Sequence, residues 1–191
     1  MESWPEIRDW RRQERRRLIA ARQSLRGAAR RAADRAMTAA LADLVPRGAS
    51  LGLFWPIRGE PDLREFAAGL RAAGARLSLP VVVEKRAPVE FHAWIPDAPM
   101  VSGIWDIPVP ADGERMRPRV LLIPLVGFDE RCYRLGYGAG YYDRTLATLP
   151  EETLAIGVGY EFSCLSTIYP QPHDLPMDLI VTETRVVRRR L

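Results

Sequence analysis

Two cysteines, two histidines and a single lysine are all that this 191-residue sequence holds of those three residue types. Cys132 and Cys164 are too few for a disulfide framework and lack metal-finger spacing, so reduced thiols in a cytoplasmic protein are expected. With only His92 and His173 available, the sequence offers no Ser-His-Asp triad. The longest apolar stretch, residues 120–128, is interrupted by Pro124 and Gly127 and falls far short of the roughly 18 residues of a spanning helix. The first residues show no apolar segment of a secretory signal. An integral membrane protein is therefore not expected. Against these absences stand 47% hydrophobic and 27% charged residues, an ordinary globular balance that excludes a disordered tail, a fibre and a coiled coil. The length suits a single domain spanning 1–191.

The scarcity of lysine makes the basicity almost wholly arginine, and it is unevenly distributed. In residues 1–35 eleven arginines face five acidic residues, whereas the whole chain is only +4, so the remainder is slightly acidic. Such a segment can meet a nucleic acid, an anionic lipid or a small polyanion, or can simply be a solvated helix face. No aromatic stacking platform or nucleic-acid motif accompanies it, which argues against an RNA-binding role.

Apolar periodicity predicts helix over residues 5–45, broken near Ser24 and Gly27 and stopped by Pro46 and Gly48. Strands are expected at 50–55, 76–83, 89–95, 119–126, 153–160 and 179–182. A helix is expected at 62–73, capped by Asp62 and ended by Gly74, and another over about 140–149. Residues 96–118, rich in Pro and Gly, read as a long loop. Strands alternating with helices predict an α/β fold with a mostly parallel sheet. Ligands then belong beyond the carboxyl ends of the strands, at 54–60, 127–143 and the segment after Tyr160.

The densest signal runs from Pro124 to Arg144. Gly136, Gly138 and Gly140 alternate between a buried strand and a helix, so the backbone can adopt positive φ and approach a ligand closely. A helix start presents free N–H groups to an anion, Arg134 offers a bidentate fork to phosphate, and Asp143 can hold a divalent cation. The pattern is neither a Walker A loop nor a dinucleotide fingerprint, and a tight strand-to-helix turn would show the same glycines.

Phe128-Asp129, Arg134-Leu135-Gly136 and Gly138-x-Gly140-Tyr141-Tyr142-Asp143 together resemble the signature of the 5-formyltetrahydrofolate cyclo-ligase family. Further matches follow in order along the chain: Arg11-x-x-x-Arg15, Phe54-x-Pro56-x-x-x-Glu60, Leu79-Pro80, the segment from Trp105 to Pro110, and Pro172-His173-Asp174-x-Pro176-Met177-Asp178 before Thr182-Glu183. The resemblance implies a three-layer α/β/α sandwich behind an Arg-rich N-terminal helical segment. It also implies an ATP- and Mg2+-dependent conversion of 5-formyltetrahydrofolate to 5,10-methenyltetrahydrofolate, releasing ADP and phosphate through an imino-phosphate intermediate.

The same resemblance assigns ATP binding to Arg11, Arg15, Arg134, Gly136, Tyr137, Gly138, Ala139, Gly140, Tyr141 and Tyr142. It implies catalytic roles for Arg134, Tyr141 and Tyr142, and substrate binding by Trp55, Glu60, Trp105, Tyr137, Gly138 and Tyr141. Asp143 and Asp178 are the implied magnesium ligands, and His173 a structural residue. A small-molecule partner, no nucleic acid, no membrane and a monomer are expected. The chain departs from the family pattern at Arg11, Cys132, Ala139 and Ser163, which leaves open a nucleotide-binding paralogue with weak or shifted folate activity.

Overall fold

The computed structural model describes residues 3–189. The N-terminal segment forms two helices, α1 (Trp4–Ser24) and α2 (Gly27–Leu44), separated where Gly27 takes φ +60°. Pro5 lies in the first turn of α1 and the Ser3 N–H donates to Glu6 Oε2 at 3.1 Å, two N-terminal devices that fix where the helix starts. On α2, Ala33, Met37 and Leu41 repeat every four residues and are the buried stripe. Two shorter helices follow, α3 (Arg64–Ala72) and α4 (Tyr141–Leu146).

The strands are β1 (Ser50–Gly52), β2 (Arg76–Val81), β3 (Glu90–Ala93), β4 (Met100–Ser102), β5 (Pro108–Pro110), β6 (Arg115–Met116), β7 (Val120–Pro124), β8 (Gly127–Asp129), β9 (Arg134–Leu135), β10 (Leu154–Val158), β11 (Cys164–Leu165), β12 (Leu179–Val181) and β13 (Val186–Arg188). Eight of them form one sheet in the order β13-β12-β10-β7-β1-β2-β3-β6. The five central strands, β12 to β2 in that order, are mutually parallel; β13, β3 and β6 join antiparallel at the two edges. Along β7, Val120 and Leu122 face the core shared with α2 and α3, while Leu121 and Ile123 face the core shared with Tyr141, Tyr142 and Leu146 of α4. This two-sided burial makes the α/β/α sandwich. Each fully buried aliphatic side chain contributes about 1.5–3 kcal/mol to it.

Several expected boundaries shift. The strand expected at 50–55 is assigned only as Ser50–Gly52, although Leu53 N still donates to Ser78 O at 2.9 Å. Asp62 accepts the Arg64 N–H at 3.1 Å, but Leu63 is the residue that caps α3. The helix expected over 140–149 is the six-residue α4, too short to supply much dipole. Residues 96–118 are not a bare loop: β4 and β5 make a two-stranded ribbon and β6 completes the large sheet. The β8–β9 hairpin and β13 were not expected at all.

Candidate active site

From β1 the chain proceeds outward to β2, and from its neighbour β7 it proceeds the other way, to β10 and β12. The loops leaving β1 and β7 therefore diverge and open a crevice between them, the place where open α/β sheets hold ligands. Helix α1 lies across this edge. Arg11, Arg15, Leu18 and Arg22 recur at i, i+4, i+7 and i+11, one face of a helix, and each reaches a different part of the edge.

Arg22 sits deepest. Its Nε donates to Arg58 O, in the loop after β1, and its Nη1 to Leu125 O, in the loop after β7, both at 3.1 Å. Its Nη2 donates to the Tyr137 phenol oxygen, and the phenol in turn donates to Glu60 Oε1 at 2.8 Å. Glu60 is 1% exposed, and its Oε2 accepts the Ile57 N–H at 3.0 Å. Arg22 Nη2 lies 3.9 Å from Glu60 Oε1, and the Arg58 guanidinium covers the Tyr137 ring at 5.6 Å. Burial raises the Glu60 pKa; the Ile57 N–H and the Arg22 charge pull it back. The Tyr137 phenol is raised by its own burial and by the Glu60 charge.

Arg15 reaches the Gly-rich turn, where its Nε donates to Gly136 O at 2.7 Å. A Cβ on Gly138 would sit in ordinary contact with the Arg15 guanidinium at 3.4–3.5 Å, and it is the φ of +100° there that calls for glycine. No protein acceptor meets the Arg15 Nη groups among the described residues, and burial lowers its pKa. Arg134 forms a two-pronged pair with Asp143, at 3.0 and 3.2 Å, and lies over the Tyr142 ring. Burial also raises the Tyr142 phenol. Beside the turn opens a cavity of about 400 Å3 lined by Lys85, Arg86, Ile104, Trp105, Gly138, Ala139 and Tyr141. Trp105, with φ +58°, meets Tyr141 edge-on at 5.7 Å.

The structure thus brings together Arg15, Glu60, Trp105, Arg134 and residues 136–143 along one edge. It places three others elsewhere. Arg11 is buried, with Nε on Ile168 O at 3.0 Å and Nη2 on Tyr169 O and Asp174, so it clamps the 168–174 loop rather than facing a ligand. Trp55 packs edge-on against Trp94 at 6.3 Å under Arg64, on the α3 side of the sheet. Asp178 precedes β12 and accepts the Ala155 N–H at 2.9 Å near the amino end of β10, with Arg189 at 3.4 Å. It shares no partner with Asp143, and among the described residues no three His, Cys, Asp or Glu side chains gather as a metal site. The implied pairing of these aspartates around one ion is therefore not preformed. His173 is exposed beside Asp174, which holds the loop in its place.

Sequence reasoning missed Arg22 and Arg58. The helical spacing of Arg22 from Arg11 and Arg15 was the available signal, hidden among many other arginines.

A doubly wound sheet with a cationic, Gly-rich turn and a buried carboxylate at its switch point defines an α/β enzyme that handles a small molecule. The chain belongs to the 5-formyltetrahydrofolate cyclo-ligase family, whose model matches residues 7–183. It is 30% identical over 179 residues to the 5-formyltetrahydrofolate cyclo-ligase of Mycolicibacterium smegmatis, covering 88% of this chain and 91% of that protein. A shorter match, 45% over 62 residues, covers 32% of this chain and 37% of the Mycoplasma pneumoniae cyclo-ligase. The NMR structure of Aquifex aeolicus 5,10-methenyltetrahydrofolate synthetase superposes with a TM-score of 0.81 at 29% identity, covering 95% of this chain and 93% of that one.

Proposed function

We propose that this protein closes 5-formyltetrahydrofolate to 5,10-methenyltetrahydrofolate at the expense of ATP, as a monomer in the cytoplasm. The observation that carries the reading is the meeting of two unlike subsites on one edge: the Arg15-backed glycine turn, and Glu60 beneath Tyr137. The first suits a triphosphate. Its flexible backbone can offer N–H groups at close range, and Arg15 adds unpaired donors. The second suits the donor edge of a pterin, which would take the place of the Tyr137 O–H on the Glu60 carboxylate.

In this scheme the formyl oxygen attacks the γ-phosphorus and ADP leaves. N10 then attacks the activated formyl carbon, its proton is lost, and the C–O bond to phosphate breaks as the ring closes. The residues align the reactants and neutralise charge. Arg15 orients the phosphates, Glu60 orients the pterin, and Arg134, stacked on the Tyr142 ring, keeps positive charge beside the reacting oxygens. Tyr141 and Tyr142 wall off water. Magnesium in such reactions neutralises phosphate charge and keeps much of its own hydration. Asp143, directly after the glycine turn, fits as its one protein ligand once its pair with Arg134 opens, whereas Asp178 is held away by Ala155 and Arg189.

Purified protein with ATP, magnesium and 5-formyltetrahydrofolate should develop the methenyl chromophore, with one phosphate released per ring closed. A folded protein that binds ATP yet forms no chromophore would leave the nucleotide-binding paralogue as the correct reading. For the metal, Asp143→Asn should raise the magnesium concentration needed for half-maximal turnover. Asp178→Asn should lower the melting temperature and leave the magnesium requirement in place. An equal shift in magnesium requirement for both variants would restore the shared-ion arrangement.

A further inference from the structure

Tyr137 belongs to two places at once. Its backbone is part of the turn 136–140, where no N–H is taken by a protein acceptor among the described residues, the condition of a turn built to meet an anion. Its phenol lies in the Glu60 pocket, donating to Glu60 Oε1 at 2.8 Å while Arg22 Nη2 donates to it. The ring is flanked by the Arg22 and Arg58 guanidinium carbons at 5.8 and 5.6 Å. Burial and the Glu60 charge raise the phenol pKa, so the hydroxyl keeps its proton and remains a donor. With the Ile57 N–H on Oε2, the carboxylate has a partner on each oxygen and is closed to solvent. Tyr137 is thus an internal stand-in for a ligand's donor.

The stand-in is lightly fastened. Tyr137 is 38% exposed and belongs to neither apolar core, so its side chain can leave without opening the interior. Gly138 and Gly140, at φ +100° and +67°, follow it and give the turn freedom to change shape. A donor edge can reach Glu60 only once the phenol has gone, and the phenol moves with the backbone that would meet phosphate. We propose that Tyr137 is an affinity-setting latch: in the free enzyme its hydroxyl competes with the folate for Glu60, and a nucleotide that draws the turn around its phosphates withdraws it. This rests on the folate reading above and adds an order to it, nucleotide before folate. The unlatched fraction of the free enzyme scales its folate affinity, and the coupling between the two substrates is reciprocal.

Tyr137→Phe removes the hydroxyl and keeps the ring between the two arginines. By calorimetry without nucleotide, it should bind 5-formyltetrahydrofolate about tenfold tighter than the wild type, the low end for a hydrogen bond to a charged group. Loss of an ordinary substrate contact would move the affinity the other way. The imido analogue of ATP, with magnesium, should tighten wild-type folate binding by about fivefold or more, the usual range for coupled sites, and that of the variant by less than about twofold. The analogue alone, without folate, should bind the variant tighter than the wild type. Tyr137→Leu, which lacks ring and hydroxyl, should repeat these shifts, with thermal melts confirming that both variants fold. Folate binding that is equal or weaker in both variants would overturn the proposal, as would an equal gain from the analogue in the wild type and Tyr137→Phe. If the analogue binds the variants tighter while none of the three proteins binds folate, the latch holds and the folate reading falls.

Discussion

Arg22→Ala should lose about 3–5 kcal/mol of stability, the usual cost of removing one partner from a buried charged cluster. For a chain of this size that lowers the melting temperature by about 10 °C. The variant leaves Leu125 O and Arg58 O without their donor, removes the hydrogen bond that fixes the Tyr137 phenol, and strips the nearest positive charge from Glu60. The loss should depend on pH with a definite sign. Burial raises the Glu60 pKa in the fold, so the native state favours the protonated form. The stability associated with that proton is present at low pH and is lost as pH rises through the folded value. Without Arg22 the folded pKa climbs further, so the deficit of the variant should be largest near neutrality and shrink as pH falls toward the ordinary carboxylate range. Arg22→Lys keeps the charge and should recover part of the stability. A deficit that does not vary with pH would mean that Arg22 acts through packing alone.

Arg15→Ala should raise the ATP KM roughly ten- to hundredfold, the equivalent of about 1.5–3 kcal/mol for a hydrogen bond to a charged group. Its Nε is anchored on Gly136 and its Nη groups face Gly138, so truncation removes donors aimed at the turn while leaving the core intact. Arg11→Ala is the informative partner. It would leave Ile168 O without its donor and strip Tyr169 O and Asp174 of the Arg11 charge, leaving them only Gln171, and should lower the melting temperature while the ATP KM stays within about threefold, since separated sites act nearly independently. Steady-state kinetics and thermal melts on the two variants check this. An ATP KM raised equally by both would return Arg11 to the nucleotide.

Much of this arrangement was legible in the sequence because it depends on strong local signals. The α1–α2 break follows from Ser24 and Gly27, and β7 from an unbroken run of branched aliphatics. The positions of Glu60 and the glycine turn follow from the rule that ligands gather beyond parallel strands. Other parts lacked such a signal. Pro108 and Pro110 disguised β5 as loop, yet proline is tolerated in a ribbon with no third strand to receive its missing N–H. The two-residue β9 is too short for any periodicity. In β13, Val186 and Val187 are followed by arginines, and the strand is held as an antiparallel edge by its register with β12. Side-chain direction was the other gap: motif matching put Arg11 and Arg15 in one role, and only the fold shows one facing the 168–174 loop and the other the glycine turn.

The placement of α1 also sets an order of events in time. Arg11 bonds Ile168 and Asp174 across sequence separations of 157 and 163 residues, Arg15 bonds Gly136 across 121, and Arg22 bonds Leu125 across 103. Helix α1 thus finds its last partners only when residues up to Asp174 have been made, and closing loops of that length is slow compared with forming local contacts. Until residues 125–174 have been made, α1 is an arginine-rich helix without these partners. The edge that would hold the ligands is therefore complete only once most of the chain is in place.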